Sequence, residues 1–133
     1  MAKLDTKLKI ESWDEQPYRE LPDGSRFTRA EVTLSGTDDA VTAATFEGLM
    51  FYRPDGTSSY ATLMRIEATL DGRAGTFVLR GTGTYDGTTA RGDSEVVPGS
   101  ATGDLAGLTG AATSASTQAD YPHMPLTLEY EPA

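Results

Sequence analysis

Short runs of alternating apolar and polar residues, separated by Asp-Gly pairs, make up most of this chain. The pairs begin at residues 23, 55, 71 and 86. An Asp-Gly pair between alternating segments is the strongest short-range signal for a β-hairpin, because both residues tolerate positive φ. No window repeats apolar residues with helical spacing for more than one turn. The pattern predicts an antiparallel β meander with very little helix.

The turns at 55, 71 and 86 also predict the register of four central strands. Their closing pairs are expected to be Arg53 with Thr57, Leu70 with Arg73, and Tyr85 with Thr88. The third turn then sets Leu79 opposite Ser94 and Gly81 opposite Gly92. A slip by one residue would move a strand's apolar set to the other face. All three turns agree, and we expect the concave side to carry Ala44, Phe46, Gly48, Met50, Tyr52, Tyr60, Thr62, Met64, Ile66, Phe77, Leu79, Gly81, Gly83, Ala90, Gly92, Ser94 and Val96.

Two strands precede this wall and two follow it. They are expected at about 3–20, 25–36, 110–117 and 126–131. Trp13 breaks the alternation of the first strand, which predicts a β-bulge near residues 11–12. Eight antiparallel strands remove their own edges by closing into a barrel. We therefore predict an all-β fold, a single eight-stranded antiparallel β-barrel domain over residues 1–133.

The charge of the chain argues against two classes of partner. Eleven Lys and Arg stand against 20 Asp and Glu, for a net charge of −9, and the basic residues do not cluster. Such a surface repels phosphate backbones and anionic lipids. We predict no nucleic-acid partner and no membrane partner.

The residue types also limit the chemistry of the protein. The chain has no cysteine and one histidine, His123, and a zinc site needs several thiolate or imidazole ligands. We predict no metal and no cofactor. The amino-terminal stretch MAKLDTKLKIESW has no long apolar run, so it resembles neither a signal peptide nor an anchor. A cytoplasmic location is expected.

Residues 96–110, VVPGSATGDLAGLTG, hold the densest group of glycines. A phosphate-binding loop would need a Gly-Lys-Ser/Thr motif opening a helix, and this stretch has no lysine. We expect a barrel corner instead, in which residues 104–108 form one helical turn. Leu105 and Leu108 would then close one end of the barrel.

Four stretches, SWDEQPY, YRPDG, DGRAGTFVL and VVPGSATGDLAGLTG, resemble in order and spacing a bacterial family of unknown function. The resemblance covers nearly the whole chain and implies an allene-oxide-cyclase-like barrel. The glycine-rich corner is also similar to that of plant allene oxide cyclases and dirigent proteins. The bacterial family has no assigned activity, so the resemblance bears on the fold far more than on the function.

The chain departs from the family pattern on its predicted concave wall. Family members often read aromatic-x-Gly-x-Glu-Arg where this chain has residues 60–65, YATLMR, so Met64 stands in place of a carboxylate. They often carry Trp or Phe where this chain has Ser94. Both changes predict a roomier and more apolar interior.

A row of small residues is predicted to cross four neighbouring strands, formed by Gly48, Thr62, Gly81 and Gly92. Glycines there allow strong strand coiling, and a bulky residue from the opposite wall could pack onto them. Alternatively the row borders a ligand cavity, since small barrels can hold one small molecule. The candidate ligand-binding residues are Trp13, Gly48, Met50, Tyr52, Tyr60, Thr62, Met64, Gly81 and Ser94.

The outer face of the central hairpin is unusually apolar. Leu49, Phe51, Ala61 and Leu63 cluster there in the predicted register. Monomers rarely expose such a patch. We predict that a second copy covers it in a homodimer; the alternative cover is a helix or a terminal arm.

Two functions fit these features. The first is a binding module for a small apolar or aromatic molecule. The second is a cofactor-free cyclase or isomerase that fixes a reactive conformer of a hydrophobic metabolite, which needs little beyond positioning. Such an enzyme leaves few marks in a sequence, so the catalytic residues stay unknown.

Overall fold

The protein is a closed barrel of eight antiparallel strands, in which each strand pairs with its neighbours in sequence and the first strand pairs with the last. The computed structural model describes residues 2–132, so the predicted domain limits at Met1 and Ala133 lie outside the described residues. The strands are β1 Ala2–Glu20, β2 Arg26–Gly36, β3 Val41–Tyr52, β4 Ser58–Leu70, β5 Arg73–Tyr85, β6 Thr89–Val96, β7 Thr109–Thr117 and β8 His123–Glu131. Helix within these residues is limited to two single 3-10 turns, Gly103–Leu105 and Gln118–Asp120. The predicted all-β barrel is confirmed.

The registers predicted from the first two turns are confirmed. Met50 lies opposite Tyr60, and Leu70 pairs with Arg73. The bulge predicted near residues 11–12 is also present, as a register shift between Ile10 and Ser12. The residues predicted for the concave side alternate with exposed ones along these strands, and the face formed by Met64, Ile66, Phe77 and Leu79 is buried.

The register predicted from the third turn is wrong by two residues. Gly81 lies opposite Ser94, and Gly83 lies opposite Gly92. The reason is that the closing pair is Asp86 with Thr89: the Asp86 amide donates to the Thr89 carbonyl at 3.3 Å, and the Asp86 carboxylate accepts from the Thr89 amide at 2.8 Å. A shift of two residues keeps the same side chains inside, because the side-chain period of a strand is two.

The two ends of the barrel differ. At one end the connection between β6 and β7 folds across the opening, and Leu105 and Leu108 are only 3% and 4% exposed. Both leucines are buried as predicted, but the helical turn is Gly103–Leu105 and not residues 104–108. Above it lies the hydrophobic core, built from residues that include Leu8, Leu34, Val41, Ile66, Phe77, Leu79, Leu126 and Leu128.

The other end is open, and one strand reaches beyond it. β1 pairs with β8 only through Lys9, whereas it pairs with β2 as far as Glu20. Residues 10–20 therefore form an arm that pairs with β2 along one edge. On its other edge the Ile10 amide donates to the Pro122 carbonyl. Beyond that contact, no strand of the described residues pairs with this edge. The arm carries Trp13 across the open end.

Candidate functional site

A cavity of about 310 Å³ occupies the open half of the barrel. Most of its surface is apolar, contributed by Val32, Leu34, Phe46 and Met50 from one side of the barrel and by Leu126 from β8. The alternation of β2, β3 and β4 points every second side chain inward. The space remains because several inward positions of β5, β6 and β7 carry glycine, alanine or serine.

Seven of the nine predicted ligand-binding residues line this cavity: Trp13, Met50, Tyr52, Tyr60, Thr62, Met64 and Ser94. Gly48 and Gly81 do not. The side chains of Phe46 and Met50 cover Gly48, where a Cβ atom would lie 3.1 Å from a Phe46 ring carbon. At Gly81 a Cβ atom would meet the Asp93 carbonyl and Ser94.

The predicted row of small residues lies only partly at the cavity: Thr62 and Gly92 line it, whereas Gly48 and Gly81 do not. The Tyr60 ring packs directly against Gly83, but Tyr60 comes from the neighbouring strand β4 and not from the opposite wall. Gly92, opposite Gly83, lines the cavity. Small residues therefore both seat a tyrosine and leave open volume beside it.

A carboxylate that the sequence did not single out anchors the arm at the mouth of the cavity. Glu15 accepts hydrogen bonds from the Tyr52 hydroxyl at 2.7 Å, the Thr28 hydroxyl at 2.7 Å and the Trp13 indole N–H at 2.9 Å. The Arg26 guanidinium lies over the Tyr52 ring, 4.8 Å from its centroid. One side chain thus connects β1, β2 and β3.

The signal for Glu15 was present in the sequence but weak. After the bulge, Trp13 and Glu15 lie opposite Val32 and Ala30, which are buried. Continuing the alternation of β1 past the bulge puts Glu15 on the inner face with Trp13. Its partners Thr28 and Tyr52 lie 13 and 37 residues away, and no local pattern predicts those contacts.

Burial and hydrogen bonds together move the pKa values of Glu15 and Tyr52 away from neutrality. Burial acts to raise the pKa of Glu15, but the hydrogen bonds from Tyr52, Thr28 and Trp13 outweigh it and lower the pKa below its ordinary value. Burial, together with the hydrogen bond to Glu15 and its charge, raises the pKa of Tyr52 to about 12. At neutral pH the pair is a carboxylate that accepts from a neutral phenol.

Metal-binding geometry does not occur in the described part of the chain. Residues 2–132 contain no group of three or more His, Asp or Glu side chains that could hold a metal ion. Across the same residues, no helix is both long and apolar enough to span a membrane.

The comparison with protein families covers almost the whole chain. Residues 5–130 match the family model described as protein of unknown function DUF3224. The chain belongs to the DUF3224 family. The resemblance to a bacterial family of unknown function is therefore confirmed. No curated protein matches the chain.

A solved DUF3224 structure has the same fold. It is the crystal structure of a DUF3224 protein of unknown function from Shewanella oneidensis MR-1, which is 22% identical to this chain. The TM-score is 0.75, and the alignment covers 100% of this chain and 98% of that one. At this identity the likeness bears on the fold alone.

Proposed function

We propose that this DUF3224 protein binds one small apolar or aromatic molecule inside the open end of its barrel. The cavity of about 310 Å³ is the observation that supports the proposal, because small-molecule sites span roughly 300–1,000 Å³ and are mostly apolar. Its aromatic residues, Trp13, Phe46, Tyr52 and Tyr60, offer flat surfaces for an aromatic or polyene ligand. Seven residues predicted from the sequence contribute to this lining.

The ionisable pair at the mouth favours binding over acid–base catalysis. A general acid or base works best when its pKa lies near the operating pH. The pKa values of Glu15 and Tyr52 move in the opposite directions, one downward and one to about 12. The alternative, a cofactor-free cyclase or isomerase, would have to act by positioning alone. The likeness to allene oxide cyclases stays a prediction.

Filling the cavity tests the proposal directly. Ser94→Trp places an indole in the lining, and we expect it to lower the affinity for the uncharged probe 2-acetylnaphthalene by about tenfold or more, since the ligand and the indole compete for one volume. Isothermal titration calorimetry measures the affinity. Thr84→Trp, on the exposed face of the neighbouring strand β5, is the matched control. Equal affinities of wild type and Ser94→Trp would contradict the site.

We also propose that two copies associate through the outer patch Leu49, Phe51, Ala61 and Leu63. Leu49 and Leu63 are 54% and 49% exposed. Together with Ala61, Gly81 and Thr82 they line a hollow on this face. One apolar face of this kind suits an interface with two-fold symmetry, in which the same patch of each copy faces the other.

Two ion pairs lie at the margins of the hollow. Arg29 lies 3.5 Å from Glu47 at one side, and Arg80 lies 3.0 Å from Glu95 at the other. Asp93 also lines the hollow and takes part in no such pair among the described residues, and each chain carries a net charge of −9. The apolar residues of the patch are therefore what supports a second copy as its cover.

The oligomeric state tests this second proposal. In light scattering at micromolar concentration we expect a dimer for the wild type and a monomer for Leu63→Glu, because a carboxylate in the interface loses water without gaining a partner. Thr69→Glu, exposed near the far end of the same strand, is the control and should stay dimeric. A monomeric wild type would rule the dimer out.

For location we propose the cytoplasm. The chain has no cysteine, which agrees with a compartment in which disulfides are rare. The net charge of −9 supports the prediction that nucleic acid is not a partner.

A further inference from the structure

The cavity has two walls of different chemistry. The wall from β1 to β4 carries bulky side chains, among them Trp13, Phe46 and Tyr60. The opposite wall, from β6 and β7, carries Ala90, Gly92, Ser94, Ser114 and Ser116. Trp13 and Phe46 lie with their ring centroids 6.5 Å apart and their planes tilted by 30°. A flat molecule in the cavity would have aromatic carbon on one side and small hydroxyl groups on the other.

Uncommitted hydroxyl donors lie on both walls of the cavity: Ser94 and Ser116 on the serine wall, and Ser58 and Thr62 on the wall opposite. Tyr52 donates to Glu15, and Tyr85 donates to the Gly87 carbonyl at 2.9 Å. Ser114 donates to the Pro125 carbonyl at 2.7 Å. The hydroxyls of Ser94 and Ser116 make no hydrogen bond within residues 2–132. Every fully buried polar side-chain atom of the described residues has a hydrogen-bond partner. Because these two hydroxyls have none, they are not fully buried, and they are accessible from the cavity that they line.

The charges near the cavity are unfavourable for an anion. Among the described lining residues Asp93 is the one charged side chain, and it lies on an exposed position of β6. Glu15 adds a carboxylate at the mouth, bonded to two lining residues, Trp13 and Tyr52. Arg26 is held over Tyr52. A carboxylate ligand would lose its water in a cavity whose described lining contains no cationic side chain, which is costly.

We propose that the cavity selects an uncharged planar aromatic molecule that carries a hydrogen-bond acceptor such as a ketone, and that it excludes carboxylates. The aromatic part packs on Trp13 and Phe46, the acceptor receives a hydrogen bond from Ser94 or Ser116, and Glu15 repels anions at the mouth. This inference rests on the proposed ligand-binding function and names its ligand class.

Three naphthalenes of similar size separate the contributions: 2-acetylnaphthalene, 2-ethylnaphthalene and 2-naphthoate. By titration calorimetry at pH 7 we expect the ketone to bind about 2- to 10-fold more tightly than the ethyl compound, the effect of one net hydrogen bond. We expect the ketone to bind at least about 10-fold more tightly than the naphthoate, because the carboxylate is desolvated without a counter-charge.

Variants assign these differences to residues. The double variant Ser94→Ala, Ser116→Ala should reduce the advantage of the ketone over the ethyl compound to about 1-fold, whereas Ser12→Ala, at an exposed position of β1, should keep it. Glu15→Gln should reduce the ratio of ketone affinity to naphthoate affinity several-fold. Circular dichroism checks that each variant is folded, and the three-ligand series on the wild type tests the proposal without any variant.

Each failure has a separate meaning. If none of the three naphthalenes binds, the proposed function fails and this inference fails with it. If the naphthoate binds as tightly as the ketone, the selection against anions is wrong while ligand binding stands. If the ketone has no advantage over the ethyl compound in the wild type, or keeps its advantage in the double serine variant, the role of the serine wall is wrong.

Discussion

Gly81 and Gly83 of β5 have similar neighbours in sequence, but different atoms in the structure exclude a side chain at each position. At Gly81 a methyl group would meet the Asp93 carbonyl and Ser94 on the neighbouring strand. At Gly83 it would meet the ring of Tyr60. The first obstacle is backbone and moves only if the sheet moves, while the second is a side chain that can turn away. The same substitution should therefore change stability at one site and the cavity at the other.

We expect Gly81→Ala to lower the free energy of unfolding by about 1–3 kcal/mol, the usual cost of forcing atoms into a packed region. That exceeds the roughly 0.5–1 kcal/mol that alanine gains over glycine within a strand. Gly83→Ala should lower the free energy of unfolding by less than Gly81→Ala does. It should weaken 2-acetylnaphthalene binding, because the Tyr60 ring must move away from Gly83 and Tyr60 borders the cavity. Urea unfolding and calorimetry measure the two effects. The reverse order of stabilities would contradict the packing described for both glycines.

The residue scale is also where sequence reasoning missed particular parts of the site. Glu15 is polar, lies in a polar stretch and has no motif around it, so only its contacts with Tyr52 and Thr28 mark it. Trp13 was identifiable because a tryptophan breaks the alternation of its strand. Ser116 lay on a strand whose register no tight turn defined, and sequence gave no reason to choose it.

At the scale of the strand, the turns carry the information about which residues pair across neighbouring strands. The turns at 55 and 71 predicted their registers correctly. The turn at 86 did not, because the Asp86 carboxylate accepts from the amides of Thr88 and Thr89 and from the Thr88 hydroxyl, which moves the closing pair by one residue on each strand. Local propensity predicts that a hairpin exists, but side-chain hydrogen bonds to the backbone select its register.

Asp86→Ala should lower the urea midpoint of unfolding at neutral pH by a small but measurable amount. Hydrogen bonds from Thr89 and Thr88 lower the pKa of Asp86 from 3.8 to about 2. A depressed pKa means that the contribution is complete well above pH 3.8 and is lost as the pH falls towards 2. The difference between wild type and Asp86→Ala should therefore shrink across that window.

Asp39→Ala removes the same charge at another exposed position and serves as the control for the net charge. Because Asp39 makes none of the turn hydrogen bonds of Asp86, this substitution should leave the urea midpoint at neutral pH close to that of the wild type. A difference between wild type and Asp86→Ala that stays constant down to pH 2 would contradict the turn contacts assigned to Asp86.

At the scale of the whole molecule, the tightly packed core and the candidate binding cavity lie at opposite ends of the barrel axis. The closed end is filled by Leu105, Leu108 and the core that packs against them. The open end holds the cavity, with Trp13 48% exposed at its mouth. The cavity is therefore tolerated because the other half of the barrel supplies the tightly packed core.

Leu105→Ala should lower the free energy of unfolding by about 2–5 kcal/mol, the range for truncating a buried leucine. Because Leu105 is not a lining residue of the cavity, the folded variant should keep its affinity for 2-acetylnaphthalene. Leu63→Ala, at a 49% exposed position, should change the stability of the isolated chain by at most about 0.5 kcal/mol. Unfolding curves and calorimetry on both variants give the comparison, and an unchanged stability in Leu105→Ala would contradict the plug.

The sequence by itself determined the all-β class, the order of the strands and the face of each central strand that turns inward. These follow from alternation with a period of two and from turn residues, and both act between near neighbours in the chain. It also indicated part of the cavity lining, since the face of a strand is known once its register is known to within an even number of residues.

Only the tertiary structure decided which inward positions border open space, which are covered by a neighbour, and which polar groups meet at the mouth. Gly48 and Gly92 look alike in sequence, yet Phe46 and Met50 cover one while the other lines the cavity. The physical reason is that open volume and hydrogen bonds depend on the positions of side chains from distant strands, and closure of the barrel is what brings those strands together.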